Sequence, residues 1–206
     1  MDKKECNINF FNRWASSYDC FLFQFWMKRF HKPVFEELNS SFKKDLSLKY
    51  KLIDLSLGSG ELLKELSKRY SNKLEFYGID IAEKMLEVAR KKLSNNIKLQ
   101  LMDVHKLEFQ DNYFDYVIST EAFHHYYDQR KALVEMKRIM KIGGKVIIVD
   151  INFLFDFLHR FFERNEPGCI KVNNKEEMFN LLKEAGFKEI KQKRNFLFSV
   201  ATMGVK

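Results

Sequence analysis

The chain contains few of the residues that stabilise secreted domains or separate one domain from the next. It has only three cysteines, and no two of them form a C-x-x-C pair: Cys6, Cys20 and Cys169. This odd, widely spaced set suggests neither a disulfide framework nor a zinc site, so we expect reduced thiols. Only two prolines and no Gly/Ser-rich segment interrupt 206 residues, of which 46% are apolar, so we expect one domain with a sizeable core.

Long apolar runs are also missing. No run approaches the roughly 20 residues of a membrane-spanning helix, and the segment Met1–Glu5 lacks the pattern of a signal peptide. The sequence therefore predicts a cytoplasmic protein. The five histidines include only one adjacent pair, His124 and His125, so no metal site is expected.

Two phosphate-binding motifs are absent as well. Gly-Lys-Ser/Thr occurs nowhere, which argues against ATP hydrolysis, and Leu63 occupies the third glycine position of a G-x-G-x-x-G fingerprint, which argues against NAD or FAD. Instead, an apolar run from Leu52 to Leu57 ends in Gly58 and Gly60, and a helical pattern follows at once. This strand, glycine turn and helix predict a nucleotide-like cofactor near the two glycines, where backbone N–H groups are accessible.

Acidic residues recur where the next strands end. Asp80 follows a strand pattern at residues 74–79, and Asp103 follows another at 97–102. A carboxylate at the first position can accept hydrogen bonds from both ribose hydroxyls, and one at the second can accept from an adenine amine. A fourth strand, Phe114–Ser119, runs into Thr120–Asp128, a segment that contains Glu121 and is rich in His and Tyr. Acids at successive strand ends are what a shared ligand crevice requires.

These segments resemble the class I S-adenosylmethionine-dependent methyltransferases, in the small-molecule branch that includes the ubiquinone and menaquinone C-methyltransferases. The resemblance extends from about Phe10 to the carboxyl terminus and rests on Asp54–Gly60, Gly78–Asp80, Met102–Val104, Phe114–Ser119, His124–His125 and Met140–Val149. It implies S-adenosylmethionine as the cofactor and roles for nine residues. The methionine part would lie along Asp54, Ser56, Gly58 and Gly60, the ribose would bind Asp80, the adenine would contact Ile81, Asp103 and Val104, and the sulfonium would lie beside Ser119.

One position of the glycine loop departs from the family. Ser56 stands where the family usually has glycine. A serine adds a Cβ and a hydroxyl where the amino-acid part of the cofactor passes, so it either adds a hydrogen bond or restricts the loop.

The order of strands and helices predicts an α/β fold, a doubly wound, mostly parallel, seven-stranded Rossmann-like sheet with helices on both faces. The resemblance adds a final antiparallel strand. The single domain, 1–206, would comprise an N-terminal helical lid at 1–45, a cofactor-binding core at 46–150, and a substrate cap with the final strands at 151–206. Helices are predicted at 34–44, 61–70, 82–93, 129–140 and 175–185, and the last three strands at 145–149, 187–193 and 196–203.

Aromatic residues recur with helical spacing near the amino terminus, at Phe11, Trp14, Tyr18, Phe21 and Phe25. This stripe either packs a helix on the sheet or forms a lid over the cofactor and substrate, where electron-rich rings would attract a sulfonium. The resemblance places Tyr18 near the cofactor, so Tyr18 is expected to contact the substrate.

A second aromatic block, Phe153–Phe162, follows the fifth strand, where the family inserts a substrate-shaping cap. Three interpretations stay open: a cap over an apolar substrate pocket, a helix lying on a membrane surface with Arg160 and Arg164 on its polar side, and an ordinary packed helix.

Methyl transfer from a sulfonium needs mainly alignment and desolvation, and a base only if the acceptor loses a proton. His124 is the candidate base, because an imidazole titrates near neutral pH, although the His pair also suits a purely structural role. Phe123 and His125 are expected to contact the substrate. Glu121 and Tyr126 are weaker candidates for binding or deprotonating the acceptor.

The net charge of +8 raises the question of nucleic acid. Lysine makes up 27 of the 36 basic residues, which is typical of a solvated surface. Enzymes that methylate an exocyclic amine share an [Asp/Asn/Ser]-Pro-Pro-aromatic motif after the fourth strand, and here Ser119 is followed by Thr-Glu-Ala. A nucleic-acid partner is therefore disfavoured.

The sequence thus predicts a methyltransferase that acts on a small apolar or aromatic acceptor, as a monomer or homodimer, with peripheral membrane contact left open. Two alternatives stand beside it: an RNA methyltransferase, and a scaffold that binds S-adenosylmethionine without turnover.

Overall fold

The computed structural model describes residues 3–15, 21–42, 49–196 and 198–206. These contain seven α-helices: α1 Lys3–Trp14, α2 Phe21–Phe42, α3 Glu61–Tyr70, α4 Glu83–Lys92, α5 Gln129–Ile139, α6 Asp156–Asn165 and α7 Lys175–Glu184. They also contain seven strands: β1 Tyr50–Asp54, β2 Leu74–Asp80, β3 Lys98–Leu101, β4 Phe114–Thr120, β5 Met140–Ile151, β6 Lys188–Phe196 and β7 Ser199–Val205. A short 3₁₀ turn, Phe123–His125, follows β4.

The strands form one sheet in the order β3-β2-β1-β4-β5-β7-β6. The pairs among β1 to β5 are parallel, and β7 runs antiparallel to both β5 and β6. The predicted seven-stranded, mostly parallel sheet with a final antiparallel strand is confirmed. Because the strand order reverses between β1 and β4, their carboxyl ends open a crevice, the usual ligand site of such sheets.

Both faces of the sheet are covered, as predicted. Neighbouring residues of β1 show why: Leu52 packs in one core and Ile53 in the other, each with 0% exposure. The first core includes apolar residues of α2, α3 and α4, and the second includes those of α5 and α7. The two consecutive apolar residues of β1 therefore reflect burial on both faces of the sheet.

Helix α2 is longer than predicted, because it begins at Phe21 and passes through Pro33. A proline inside a helix has no N–H for the carbonyl four residues earlier, which is that of Arg29. The side-chain amide of Asn195 donates to this carbonyl instead. A contact with β6 thus satisfies the backbone group that Pro33 leaves free.

The prediction that β5 begins at Lys145 was wrong. The strand begins at Met140, which pairs with Phe114, and the register then shifts before Lys145 pairs with Tyr116. The intervening bulge needs glycine, because Gly143 has a φ of 78° and a Cβ on Gly144 would lie 2.8 Å from the Lys141 carbonyl oxygen. The glycine pair is therefore a bulge within the strand and not the turn before it.

Candidate functional site

A cleft opens at the carboxyl ends of the first four strands. The space between its walls, which includes the solvent-filled mouth, is about 690 Å³. Loops after all four strands and one face of α1 line it: Lys4, Asn7, Phe11, Leu55, Ser56, Gly58, Asp80, Ile81, Met102, Asp103, Val104, His105, Thr120, Glu121, Ala122, His125, Tyr126 and Tyr127.

The two loop glycines have different tasks. Gly58 has a φ of 54°, lines the cleft and donates its N–H to Asp80 Oδ2 at 2.8 Å. Gly60 has a φ of 81° and is the N-cap residue of α3, and a Cβ there would lie 2.9 Å from Leu93 Cδ1. Gly58 thus shapes the cleft wall, whereas Gly60 allows the loop to pack closely on the end of α4.

Asp80 joins the glycine loop to the end of β2. Its Oδ1 accepts the Ala82 N–H at 2.9 Å, and its Oδ2 accepts the Gly58 N–H. Burial raises the pKa of Asp80 to about 6, although the backbone N–H groups work in the opposite direction. The carboxyl group therefore lies at the cleft in a fixed orientation.

Asp54, at the end of β1, is 1% exposed and accepts the Ser56 N–H at 3.2 Å. Burial, partly offset by this bond and reinforced by the charge of Asp80, raises the pKa of Asp54 to about 7. Asp54 is not among the described residues that line the cleft, so it lies just beneath the loop.

Asp103 is held by a network that the sequence did not reveal. Its Oδ1 accepts from the backbone N–H and the ring Nδ1 of His105 at 3.0 and 2.6 Å, and its Oδ2 accepts from Lys4 and Tyr127 at 2.8 and 2.7 Å. Burial alone would raise the pKa of Asp103, but the bonds from His105, Lys4 and Tyr127 together hold it well below its usual range. The His105 ring also stacks on Tyr127, with centroids 3.6 Å apart.

Three hydroxyl groups form a short chain beneath the cleft. The Tyr126 hydroxyl lies 2.6 Å from Ser56 Oγ and 2.9 Å from Ser119 Oγ. Ser119 is 1% and Tyr126 7% exposed. Burial raises the pKa of Tyr126 above its ordinary value, so the phenol stays protonated. The departure at Ser56 therefore adds a hydrogen bond, which is the first of its two predicted effects.

The two adjacent histidines point to different surroundings. His125 lines the cleft, its carbonyl accepts from the Asn7 side chain at 2.7 Å, and its ring meets Phe11 edge to face. Burial, together with the neighbouring His124, lowers the pKa of His125 well below its ordinary value. His124 is 2% exposed, is not among the described residues that line the cleft, and bonds Asp150 Oδ1 through Nδ1 at 2.6 Å.

Glu121, a weaker candidate from the sequence, lines the cleft, whereas the stronger candidate His124 does not. Glu121 follows β4 directly and has a φ of 51°, which is strained for a residue with a Cβ. Burial, with the charges of Asp150 and Glu166, raises the pKa of Glu121 well above its ordinary value. A carboxyl group with a shifted pKa at a cleft is typical of functional sites.

The remaining predicted residues divide between the cleft and the core. Ile81 and Val104 line the cleft. Phe123 is fully buried and packs against Tyr126, and it is not among the described lining residues. Tyr18 lies outside the described residues.

The sequence reasoning missed two residues on the face of α1 that lines the cleft, Lys4 and Asn7. Lys4, Asn7 and Phe11 lie three and four residues apart, so one helical face presents all three. Of these three residues, the predicted aromatic stripe included only Phe11, because the stripe was defined by aromatic side chains. Polar residues with the same spacing were the signal that could have added Lys4 and Asn7.

No described helix is long and apolar enough to cross a membrane. The described His, Cys, Asp and Glu side chains form no group of three or more that could hold a metal ion.

A family model described as a methyltransferase domain matches residues 53–148. The chain is 31% identical over 173 residues to the ubiquinone/menaquinone biosynthesis C-methyltransferase of Wigglesworthia glossinidia brevipalpis, covering 80% of this chain and 67% of that protein. It is 30% identical over 178 residues to a demethylmenaquinone methyltransferase of Staphylococcus aureus, covering 74% of this chain and 73% of that protein.

Solved structures share the fold. A methyltransferase in complex with the Haloferax volcanii Trm112 methyltransferase activator has a TM-score of 0.75 at 19% identity, covering 95% of this chain and 96% of that one. A phosphoethanolamine N-methyltransferase of Haemonchus contortus, in complex with S-adenosyl-L-methionine, has a TM-score of 0.66 at 18% identity, covering 79% of this chain and 50% of that one.

Proposed function

Because the chain belongs to the class I S-adenosylmethionine-dependent methyltransferases, we propose that its methyl acceptor is a small apolar or aromatic molecule of the quinone type. The observation that carries this proposal is the character of the cleft wall. Phe11, Ala122 and Tyr126 contribute apolar and aromatic surface, and most of the accessible surface of the cleft is apolar although polar side chains also line it. The names of the two relatives point to the same acceptor class.

The cleft residues fit the cofactor. Asp80 Oδ1 accepts the Ala82 N–H and Oδ2 accepts the Gly58 N–H, and because each carboxylate oxygen can accept two hydrogen bonds, we propose that Asp80 also binds the ribose hydroxyls. Ile81, Met102 and Val104 offer an apolar wall for adenine. We propose that Asp54 stabilises the ammonium end from beneath Ser56, and that the Ser56, Tyr126 and Ser119 hydroxyls lie near the sulfonium.

Asp103 fits the adenine amine only after a rearrangement. Both of its oxygens already accept two hydrogen bonds, which uses their lone pairs. An adenine amine would therefore have to replace Lys4 or Tyr127 at Oδ2. We keep Asp103 as a proposed adenine contact on that condition.

The bound cofactor would supply an electrophilic methyl group and a good leaving group. This chain has to align the acceptor, exclude water and hold a proton if the acceptor loses one. We propose that Glu121 accepts this proton, because it lines the cleft and burial raises its pKa well above the ordinary carboxyl value. His124, the base predicted from the sequence, lies behind the wall, bonded to Asp150, and we propose that it positions His125 and this acidic region.

The test is turnover with a panel of acceptors: a demethylated naphthoquinol, a simple phenol and a structured RNA. Formation of S-adenosylhomocysteine is measured by mass spectrometry for the wild type and for Glu121→Gln. We expect turnover with the quinol, and a lower kcat with an altered pH profile in the variant. Turnover with RNA alone, or cofactor binding without turnover on any acceptor, would overturn the proposal.

A further inference from the structure

Four large apolar side chains lie exposed on α6 and in the two residues that precede its first turn. Leu154, Phe155, Phe157 and Phe161 keep 59–67% of their surface accessible, and we call them the α6 patch. The rings of Phe155 and Phe157 stack with centroids 5.9 Å apart. An exposed apolar patch of this kind on a water-soluble surface marks an interaction site.

The opposite face of α6 already has its partners. His159 is 5% exposed and accepts the Phe153 N–H at Nε2, at 2.9 Å. Glu163 accepts the Val172 N–H at 2.8 Å, and the Phe162 ring lies 5.9 Å from that of His124. The helix is therefore fixed to the protein through this face, and the α6 patch is not needed for packing.

Two arginines share the outer face with the patch. Phe157, Arg160, Phe161 and Arg164 follow the i, i+3, i+4, i+7 spacing of one helical face. Both arginines are exposed, and neither takes part in an ion pair within the described part of the chain. Aromatic rings beside free guanidinium groups suit the interface of an anionic bilayer, which accepts rings among its acyl chains and cations among its headgroups.

The α6 patch also lies on the side of the sheet where the strands have their carboxyl ends and the cleft opens. Helix α6 follows the carboxyl end of β5, and its inner face meets His124, whose neighbour His125 lines the cleft. We propose that α6 docks the protein on the surface of an anionic lipid bilayer and that the cleft takes its apolar acceptor there. The second half of this statement rests on the proposed function, and the docking itself does not.

A second copy of the chain is a poorer occupant. In a two-fold contact the α6 patch would meet itself, which brings the arginines of both copies together. Each copy also carries a net charge of +8, so the charges repel where anionic lipid would attract them.

The test is co-sedimentation with vesicles of phosphatidylcholine alone and of phosphatidylcholine mixed with an equal amount of phosphatidylglycerol. We expect binding that is stronger to the anionic vesicles and weakens with salt. The double variant Arg160→Gln/Arg164→Gln should lose about thirtyfold in affinity for them, at about 1 kcal/mol for each arginine. Phe157→Ser/Phe161→Ser should weaken binding to both compositions by at least about tenfold.

Two controls separate docking from general surface effects. Ile142→Ser removes the 86% exposed side chain in the bulge at the other end of β5, and Arg90→Gln/Arg130→Gln removes the same charge from other exposed positions. Both controls should bind vesicles like the wild type. All variants should keep the melting temperature and the affinity for S-adenosylmethionine measured without lipid.

Several outcomes would overturn the docking proposal. They are no vesicle binding by the wild type, equal losses in the control variants, and a dimer in light scattering that the Phe157→Ser/Phe161→Ser variant abolishes. Failure of the proposed function appears separately, because vesicle binding would persist while the quinol panel gives no product.

Discussion

The hydroxyl of Tyr126 connects the residue that departs from the family pattern, Ser56, to the buried Ser119. A glycine at position 56 would leave the phenol one partner fewer. Ser56 is therefore part of a hydrogen-bond chain, in which it is paired directly with Tyr126. This connection spans 70 positions of sequence, so the pattern of the loop alone could not reveal it.

We predict that Tyr126→Phe lowers the free energy of unfolding by about 1–2 kcal/mol, because it leaves two serine hydroxyls without their shared partner. It should also weaken binding of S-adenosylmethionine, since Ser56 lines the cleft. Chemical denaturation and calorimetry measure the two effects. Tyr113→Phe, which removes a hydroxyl bonded to Tyr77 outside the cleft, is the matched control for cofactor affinity. Equal cofactor affinity in both variants would contradict the role of Tyr126.

Burial of Asp54 predicts a dependence of stability on pH. Its folded-state pKa of about 7 lies above the ordinary value, so the folded state favours the protonated form. This contribution to stability is complete below the ordinary carboxyl pKa, near 4, and is lost as the pH rises through about 7. Each unit of the pKa difference is worth about 1.4 kcal/mol.

The wild type should therefore lose stability between about pH 4 and pH 7 more steeply than Asp54→Asn, which cannot ionise at this position. Urea denaturation at several pH values measures the slope. Asp111→Asn, an exposed acid, should keep the wild-type slope. The same slope in Asp54→Asn and the wild type would contradict the account of this buried acid.

At the scale of elements, the strand, glycine turn and helix at residues 50–70 could be predicted. The apolar residues have the spacing of a strand before the two glycines and the spacing of a helix after them. The acids Asp80 and Asp103 could be placed for the same reason, since they follow clear strand patterns. The positive φ of Glu121 could not, because it depends on how β4 leaves the sheet. The Lys4 contact to Asp103 could not either, because it joins segments 99 positions apart.

Helix α1 covers the cleft through Lys4, Asn7 and Phe11, which suits the predicted lid, although the bounds of the three predicted regions stay a prediction. We predict that S-adenosylmethionine slows hydrogen exchange in residues 3–15, because a bound ligand would hold this face against the cleft. Exchange in α7, which lines no part of the cleft, should stay unchanged and serves as the internal control. Unchanged exchange in α1 at saturating ligand would contradict a lid.

For the whole molecule, the alternation of strands and helices predicted the fold class, and the antiparallel β7 came from the resemblance alone. Cytoplasmic location, the absence of a nucleic-acid partner and the choice between monomer and homodimer stay predictions. The excess of lysine over arginine and the missing exocyclic-amine motif argue against nucleic acid, whereas the oligomeric state depends on surfaces that the spacing of apolar residues does not reveal. Light scattering of the purified chain measures the mass directly.

The central claim is that the cleft holds S-adenosylmethionine through Asp80. Calorimetric titration of the wild type and of Asp80→Asn with S-adenosylmethionine and S-adenosylhomocysteine tests it most directly, with cooperative melting as the check on folding and Asp111→Asn as the control. We predict that the wild type binds both ligands and that Asp80→Asn weakens each by at least about tenfold, because hydrogen bonds to a charged carboxylate are worth about 1.5–3 kcal/mol. No binding by the folded wild type, or equal affinity in Asp80→Asn, would contradict it.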